Sequence, residues 1–270
     1  MYLKPKKRLG QNFLVDKNIQ RKIAVSCQLG AGDHVLEIGS GYGDLTRLLG
    51  QHCAFIYALE IDPDLSRVLK DSTKDYANIR IINRDILKFN LKNYFKKVKG
   101  RIKVVGNIPY YITTPIIEHL LKYRDKIESI FITVQKEFAK RITAKAGSKD
   151  YGSFSCYVQY YCAARPLFFI KKNSFFPAPK VDSCFIELEV REEGAVRLKD
   201  EKLFFTIIRK AFNQRRKTLR NSLSGIIPVL KLTAFFEKYG INRNIRPEDL
   251  TLQDFANLSN IKTCSVLEVE

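Results

Sequence analysis

Short apolar runs alternate with segments of helical spacing through the first half of the chain. Five runs have the length and continuity of buried parallel strands, at 34–38, 54–61, 79–82, 102–105 and 129–134. Between them, apolar residues recur three or four positions apart and predict helices at 45–49, 63–74 and 116–121. This order predicts an α/β fold, an open sheet of mostly parallel strands with helices on both faces.

The pattern changes toward the C-terminus. The aromatic segment 153–163 fits either a helix or a strand, whereas 165–171 and 183–190 predict strands. Beyond Asp200 the spacing predicts only helices, at 203–212, 216–223, 234–239 and 252–260. We therefore expect a sheet domain over residues 1–192 and a small all-α domain over residues 193–270.

Charge is the most unusual property of the composition. The chain has 47 lysines and arginines against 28 acidic residues, a net charge of +19, which favours a polyanionic partner such as nucleic acid. Basic residues concentrate near the N-terminus and in residues 205–220. The expected RNA-binding residues are Lys6, Lys7, Arg8, Arg215, Arg216, Lys217 and Arg220. Such contacts to phosphates position an RNA without reading its sequence.

The cysteines and the apolar runs indicate where the chain resides. None of the six cysteines forms a CxxC pair and the three histidines do not cluster with them, so we expect no metal site. Scattered cysteines are typical of the reducing cytoplasm. No apolar run of 18 residues and no signal peptide are present. We expect a cytoplasmic monomer that does not contact membranes.

The first predicted strand runs into a GxGxG turn. Glycines such as Gly39 and Gly41 let a backbone approach a ligand closely, although a tight turn without a ligand would use them too. The next two strands end near Glu60, which could accept hydrogen bonds from ribose hydroxyls, and Asp85, which could accept from an adenine amino group. Together these residues predict a pocket for an adenosine-containing cofactor, either NAD or S-adenosylmethionine.

The segment Asn107-Ile108-Pro109-Tyr110 follows the fourth strand. It resembles the tetrapeptide of methyltransferases that act on the amino groups of bases. The Asn107 side-chain oxygen and the Pro109 carbonyl could accept from both N–H bonds of adenine N6 and orient its lone pair. They would also stabilise the positive charge that develops on N6. Tyr110 offers a ring on which an extruded base can stack.

Further segments extend this resemblance over nearly the whole chain, at 9–14, 145–152, 175–183 and 214–223. The chain resembles the ribosomal RNA adenine dimethyltransferases of the bacterial small-subunit type. The resemblance implies a Rossmann-like class I methyltransferase sheet and S-adenosylmethionine as cofactor. It implies dimethylation at N6 of two adjacent adenosines near the 3′ end of small-subunit rRNA, with a precursor ribosomal subunit as the expected partner. It also implies that Asn12 and Leu14 close over the cofactor, with Asn107 beside it, and that Phe175 holds the flipped adenine, with Phe176 as the fallback.

Three alternatives remain open. The large-subunit methylases of the macrolide-resistance type carry the same Asn-Ile-Pro-Tyr tetrapeptide, although the basic run at 214–223 favours the small-subunit type. An RNA-binding assembly factor could keep the fold without catalysis. A nucleotide-dependent oxidoreductase is disfavoured, because its GxGxxG pattern is missing and it would not explain the basic runs.

Overall fold

The computed structural model describes residues 3–214 and 217–263. The strands are β1 (Phe13–Leu14), β2 (His34–Ile38), β3 (Phe55–Glu60), β4 (Ile79–Asn83), β5 (Ile102–Gly106), β6 (Ile127–Gln135), β7 (Cys162–Ile170), β8 (Phe175–Phe176) and β9 (Ser183–Val190). The α-helices are α1 (Lys17–Ser26), α2 (Asp44–Gly50), α3 (Pro63–Ser72), α4 (Leu91–Tyr94), α5 (Thr113–Leu121), α6 (Lys136–Ile142), α7 (Ser153–Tyr161), α8 (Glu201–Phe212), α9 (Leu219–Ser222), α10 (Val229–Tyr239) and α11 (Leu252–Thr263).

Seven strands form one sheet in the order β4-β3-β2-β5-β6-β9-β7. The five strands from β4 to β6 pair in parallel, and β9 runs antiparallel to β6. The predicted α/β fold with a Rossmann-like sheet is confirmed. Because parallel strands end at one edge of the sheet, the residues that follow β2, β3, β4 and β5 meet there.

Local sequence explains several elements. The central strand β2 is buried on both faces, with Val35 and Leu36 fully inaccessible, which accounts for its continuous apolar run. Helix α3 begins where the Asp62 side chain accepts a hydrogen bond from the backbone N–H of Asp64, with Pro63 in the first turn. The end of β3 and the start of α3 are therefore set by the same short segment.

Several elements differ from the sequence expectation. The ambiguous segment 153–163 is mostly the helix α7, and the chain passes directly from it into β7. Helix α1 was not predicted, although Ile23 and Ala24 lie on its buried face and Asp16 caps its N-terminus. Helix α10 begins at Val229, five residues before the predicted start at Ala234.

A second, two-stranded sheet joins distant parts of the chain. Strand β1 pairs antiparallel with β8, so that Phe13 lies opposite Phe176 and Leu14 opposite Phe175. The Val15 N–H extends the pairing by donating to the Ser174 carbonyl at 2.9 Å. Strands of two residues are too short to show any periodicity, so the sequence pattern could not predict this pairing.

The described chain divides into two compact units. One comprises the residues up to Ala139 together with Ala163–Glu192, and it contains the large sheet. The other comprises Lys140–Cys162 and the residues from Glu193 onward, and its core includes the fully buried rings of Phe204 and Phe235. The predicted division at 192/193 assigned residues 140–162 to the sheet domain, whereas the structure groups them with the helices. In α7, Tyr161 donates to Glu201 of α8 at 2.6 Å, which links that segment to the helical unit.

Candidate active site

Two adjoining cavities lie at the edge of the sheet where β2, β3 and β5 end. The first has a volume of about 800 Å³ and the second about 1340 Å³. The residues that line both are Phe13, Gly39, Gly41 and Asn107.

The turn after β2 brings backbone close to both cavities. Gly39 and Gly41 have φ angles of 75° and 55°, in the left-handed region that favours glycine. A Cβ atom on Gly39 would lie 3.3 Å from the Asn107 carbonyl oxygen, and one on Gly41 would lie 3.4 Å from the Phe13 ring. A side chain at either position would therefore narrow the cleft where a ligand would contact the backbone.

Glu60, the last residue of β3, lines the first cavity and is only 4% exposed. Its Oε2 accepts from the Gly41 N–H and its Oε1 from the Asp62 N–H, both at 2.9 Å. Burial raises the pKa of the Glu60 carboxyl, although these hydrogen bonds oppose the shift. Each oxygen keeps a further acceptor position, which suits the ribose contact predicted for it.

A network ties the N-terminal segment to the end of β3. Lys6 Nζ donates to Asp62 Oδ1 at 2.6 Å and to Asp64 Oδ2 at 2.8 Å, and Gln11 Nε2 donates to Asp62 Oδ2 at 3.0 Å. Burial alone would raise the pKa of Asp62, but the hydrogen bonds from Lys6 and Gln11 hold it below its usual value. We call Lys6, Gln11, Gly41, Glu60 and Asp62 the Glu60 side of the cleft.

The Lys6 contacts weigh against one prediction. Lys6 was expected to bind RNA, but its ammonium group is held by two carboxylates beside the first cavity. Lys7 and Arg8 are exposed, as are Lys217 and Arg220 in the helical unit. Arg215 and Arg216 lie outside the described residues. For these six residues RNA binding stays a prediction.

The opposite side of the cleft centres on Asn107. Its Nδ2 donates to the Asn12 carbonyl at 2.9 Å, and no hydrogen bond to Oδ1 is found within residues 3–214 and 217–263. Pro109 lines the first cavity, and its carbonyl accepts from the Ile112 N–H at 3.2 Å, which leaves its second lone pair available.

Tyr110 completes this wall of the first cavity. Its hydroxyl hydrogen-bonds the Ser183 hydroxyl at the start of β9, which fixes the ring. Burial raises the pKa of the phenol, so the group is neutral at physiological pH. A neutral, fixed ring is suited to stacking.

The structure separates the two aromatic residues of β8. Phe175, expected to hold the flipped adenine, is 3% exposed and belongs to the hydrophobic core. Phe176, the fallback, is 61% exposed and lines the second cavity with Leu14 and Asn107. Alternate residues of a strand point to opposite faces, so only one of two neighbouring rings can reach the cleft. We name Asn12, Asn107, Pro109, Tyr110 and Phe176 the Asn107 side.

Sequence reasoning gave no role to Glu37, which lines the second cavity beneath the glycine turn. Its carboxyl is 2% exposed, and Thr46 Oγ1 donates to its Oε2 at 2.5 Å. Burial raises the pKa of Glu37 to about 7. The sequence does contain a signal for this residue, because an acidic side chain is unusual inside an apolar strand two positions before the first glycine of the turn.

The first cavity contains groups suited to an adenosine. Asp85 lines this cavity. One of its carboxylate oxygens accepts from the Leu87 N–H at 2.9 Å, and the other is available to accept from an amino group. Ile86 and Ile108 are nearly buried and border the same space, with Ile61 beside them. Carboxylates for the hydroxyls and amine, with apolar walls for the base, fit an adenosine-containing cofactor.

Two absences apply to the described part of the chain. No cluster of three or more His, Cys, Asp or Glu side chains there is placed to hold a metal ion. No helix there has both the length and the apolar character that crossing a membrane requires.

Comparison with known proteins decides the family. The sequence model described as "Ribosomal RNA adenine dimethylase" matches residues 2–263. The chain belongs to the ribosomal RNA adenine dimethylase family. This membership confirms the predicted resemblance, and it confirms that the chain is a methyltransferase.

Relatives of this dimethylase are similar over nearly their full length. "Ribosomal RNA small subunit methyltransferase A" from Clostridium botulinum is 42% identical over 255 residues, covering 94% of this chain and 92% of the relative. The protein of the same name from Streptococcus sanguinis is 41% identical over 263 residues, covering 94% and 91%.

Solved structures agree on the fold of the dimethylase. The 23S rRNA methyltransferase ErmE has a TM-score of 0.75 at 25% identity, covering 93% of this chain and 99% of its own. A dimethyladenosine transferase from Plasmodium falciparum has a TM-score of 0.79 at 24% identity, covering 91% and 95%. The predicted class I methyltransferase fold is therefore confirmed.

Proposed function

We propose that this dimethylase transfers methyl groups from S-adenosylmethionine to N6 of adenosines in small-subunit rRNA, twice at each of two adjacent adenosines near the 3′ end. The names of the relatives at 41–42% identity support the small-subunit substrate. The orientation of the Asn107 amide is the observation that carries the proposed chemistry.

A carbonyl oxygen can only accept hydrogen bonds, so the group of Asn107 that lies 2.9 Å from the Asn12 carbonyl is the amide nitrogen. The Asn107 side-chain oxygen is then the atom left to accept. An adenine N6 amine has two N–H bonds, which the Asn107 oxygen and the Pro109 carbonyl can accept together. Held this way, the nitrogen lone pair faces the methyl donor, and both oxygens stabilise the positive charge that develops on N6.

The Glu60 side and Asp85 are the proposed cofactor contacts. Glu60 would bind the ribose hydroxyls and Asp85 the adenine amino group, while Gly39 and Gly41 bring their backbone to the cofactor's amino-acid portion. S-adenosylmethionine, when bound, supplies a methyl group on a positively charged sulfur. Asn12 and Leu14, together with Asn107, would close over it and exclude water.

The target base is proposed to lie between Tyr110 and Phe176. Tyr110 borders the first cavity and Phe176 the second, and Asn107 borders both. A base extruded from RNA can stack on such rings while its amine reaches Asn107. A precursor ribosomal subunit, bound in the cytoplasm by a monomer, is the proposed substrate form. Lys7, Arg8, Lys217, Arg220 and the undescribed Arg215 and Arg216 are the proposed phosphate contacts.

The test is methyl transfer from labelled S-adenosylmethionine to small-subunit particles from cells that lack this modification, with large-subunit RNA as the parallel substrate. We expect label only in the small-subunit RNA, as N6,N6-dimethyladenosine in a mass spectrum of its nucleosides. Label only in the large-subunit RNA would support the macrolide-resistance alternative. No label in either RNA would support the non-catalytic alternative.

A further inference from the structure

A second cleft lies at the opposite edge of the sheet from Asn107. Its volume is about 1080 Å³, and it is lined by Lys92, Arg101, Lys122, Tyr123, Arg124, Asp125, Arg191 and Glu192. Arg101 precedes β5, the segment 122–125 precedes β6, and Arg191 follows β9. Five cationic and two acidic side chains thus line one concave surface, which we call the basic cleft.

The sequence around the basic cleft is rich in positive charge. Between Lys92 and Lys103 the chain carries six lysines and arginines and no acidic residue. This run is denser than the basic runs at 1–22 and 205–220, yet the sequence pattern gave it no function. Lys92, Lys122 and Arg191 are exposed and form no ion pair with any residue of the described chain.

Arg101 links two of the strands that border the basic cleft. Its Nε donates to the Ile127 carbonyl at 2.8 Å and its Nη2 to the Val190 carbonyl at 2.7 Å, so one guanidinium joins the ends of β6 and β9. Carbonyl oxygens carry no net charge, and the nearest carboxylate oxygen, of the 88% exposed Glu192, is 3.8 Å away. The positive charge of Arg101 is therefore fixed in position and only weakly compensated.

The form of the basic cleft fits an extended polyanion better than a small one. Its cations come from four separate parts of the chain, namely helix α4, the residue before β5, the segment 122–125 and the residue after β9. Arg101 directs its donors at backbone carbonyls rather than into the open space. A compact anion site gathers buried donors around a single point. Charges spread over an open cleft can each contact a different phosphate along a nucleic acid backbone.

We propose that the basic cleft binds phosphates of an RNA helix remote from the base in the active site. The inference rests on the proposed function for the identity of the RNA. Arg101 and Asn107 stand at opposite ends of β5, about 20 Å apart at 3.3 Å per residue. At about 3.4 Å per phosphate along one strand of a helix, that distance corresponds to roughly six nucleotides, so a phosphate held in the basic cleft lies well beyond the immediate neighbours of the extruded base.

The test removes the three exposed cations in one full-length variant, Lys92→Gln/Lys122→Gln/Arg191→Gln. Binding to transcribed small-subunit rRNA is measured at several salt concentrations. We expect the plot of log K against log [salt] to become less steep, with the magnitude of its negative slope reduced by about 3, and the affinity at fixed salt to fall by about tenfold or more. In methyl transfer, KM for this RNA should rise while kcat stays the same, because the active site is untouched.

The matched control is Lys70→Gln/Lys74→Gln/Arg80→Gln, which removes three exposed charges on and beside α3 and β4 that do not line the basic cleft. Equal slopes and equal affinities for the two triple variants would overturn the proposal, and an acidic protein as the true occupant would give that result. Binding needs no catalysis, so a chain that binds RNA through this cleft without methylating it would refute the proposed function and leave this inference intact.

Discussion

The two sides of the cleft use their polar groups in opposite ways. On the Glu60 side, Lys6, Gln11 and the backbone of Gly41 all donate to carboxylates of the same wall, and the wall is held by its own hydrogen bonds. On the Asn107 side, one bond orients the amide and leaves its oxygen without a protein partner. The first arrangement favours firm binding, whereas the second presents an atom to a reactant. Substitutions on the two sides should therefore separate binding from rate.

Asn107→Ala should have the largest effect. Removing the acceptor should lower kcat about 10²- to 10³-fold, the size seen when one preorganised hydrogen bond to a developing charge is lost. Affinity for S-adenosylmethionine, measured by calorimetry, should change only a few-fold, because the Glu60 side is intact. A variant with full activity, or one that binds no cofactor, would contradict the assignment of rate to the Asn107 side and of cofactor binding to the Glu60 side.

Glu37→Gln tests whether the buried carboxyl of Glu37, beneath the glycine turn, lowers the stability of the fold at high pH. The folded pKa of about 7 lies above the ordinary value of 4.5, so folding favours the protonated acid. Stability from this group is lost as pH rises from about 4.5 to 7, and the deficit above pH 7 is about 3 kcal/mol. Gln keeps the shape and the acceptor for Thr46 without the charge.

The variant should therefore be more stable than the parent at pH 8, with the difference shrinking toward pH 5. Urea unfolding of both proteins across this range measures it. A constant difference between the two proteins at all pH values would contradict the assignment of the titration to Glu37.

Phe176→Ala and Phe175→Ala form a matched pair on the Asn107 side. Loss of a stacking ring costs about 1–3 kcal/mol per base, so Phe176→Ala should lower kcat/KM for RNA by about tenfold while stability is kept. Phe175→Ala should instead destabilise the fold by about 3–5 kcal/mol, because it empties a core position. The reverse pattern in thermal melting and kinetics would return the stacking role to Phe175.

Lys6→Met should have the smallest effect. The N-terminal segment would lose its tie to Asp62 and Asp64, and the dissociation constant for S-adenosylmethionine should rise a few-fold with kcat unchanged. The salt dependence of RNA binding should stay the same, since the ammonium group is engaged within the protein. A decrease of about one in the magnitude of the slope of log K against log [salt] would support the original expectation that Lys6 contacts a phosphate.

Sequence alone predicted the sheet and the residues at its edge because both depend on local pattern. Buried parallel strands are continuous apolar runs. Gly39 and Asn107 directly follow two of them, and Glu60 is the last residue of a third. The family match and the methyltransferase class were predicted from short motifs and are confirmed. The roles of the individual site residues stay predictions.

The rest depended on contacts between distant segments. The ion pair of Lys6 with Asp62 joins residues 56 positions apart, and the pairing of β1 with β8 decides which phenylalanine faces the cleft. Residues 140–162 likewise group with the helical unit because of how they pack, and the spacing of apolar residues within a segment does not reveal this. Charge counting identified two basic runs and overlooked the third at 92–103. That Lys92 of this run lines one cleft with Lys122 and Arg191 is shown only by the fold.

The pairing of β1 with β8 has a consequence for how the molecule is made. Residues 13 and 14 leave the ribosome early, but their partners at 175 and 176 are synthesised only after about two thirds of the chain. The wall that carries Phe13 and Leu14 therefore stays open during most of translation. A nascent chain halted before residue 175 would have the glycine turn and Asn107 but no complete enclosure for a ligand.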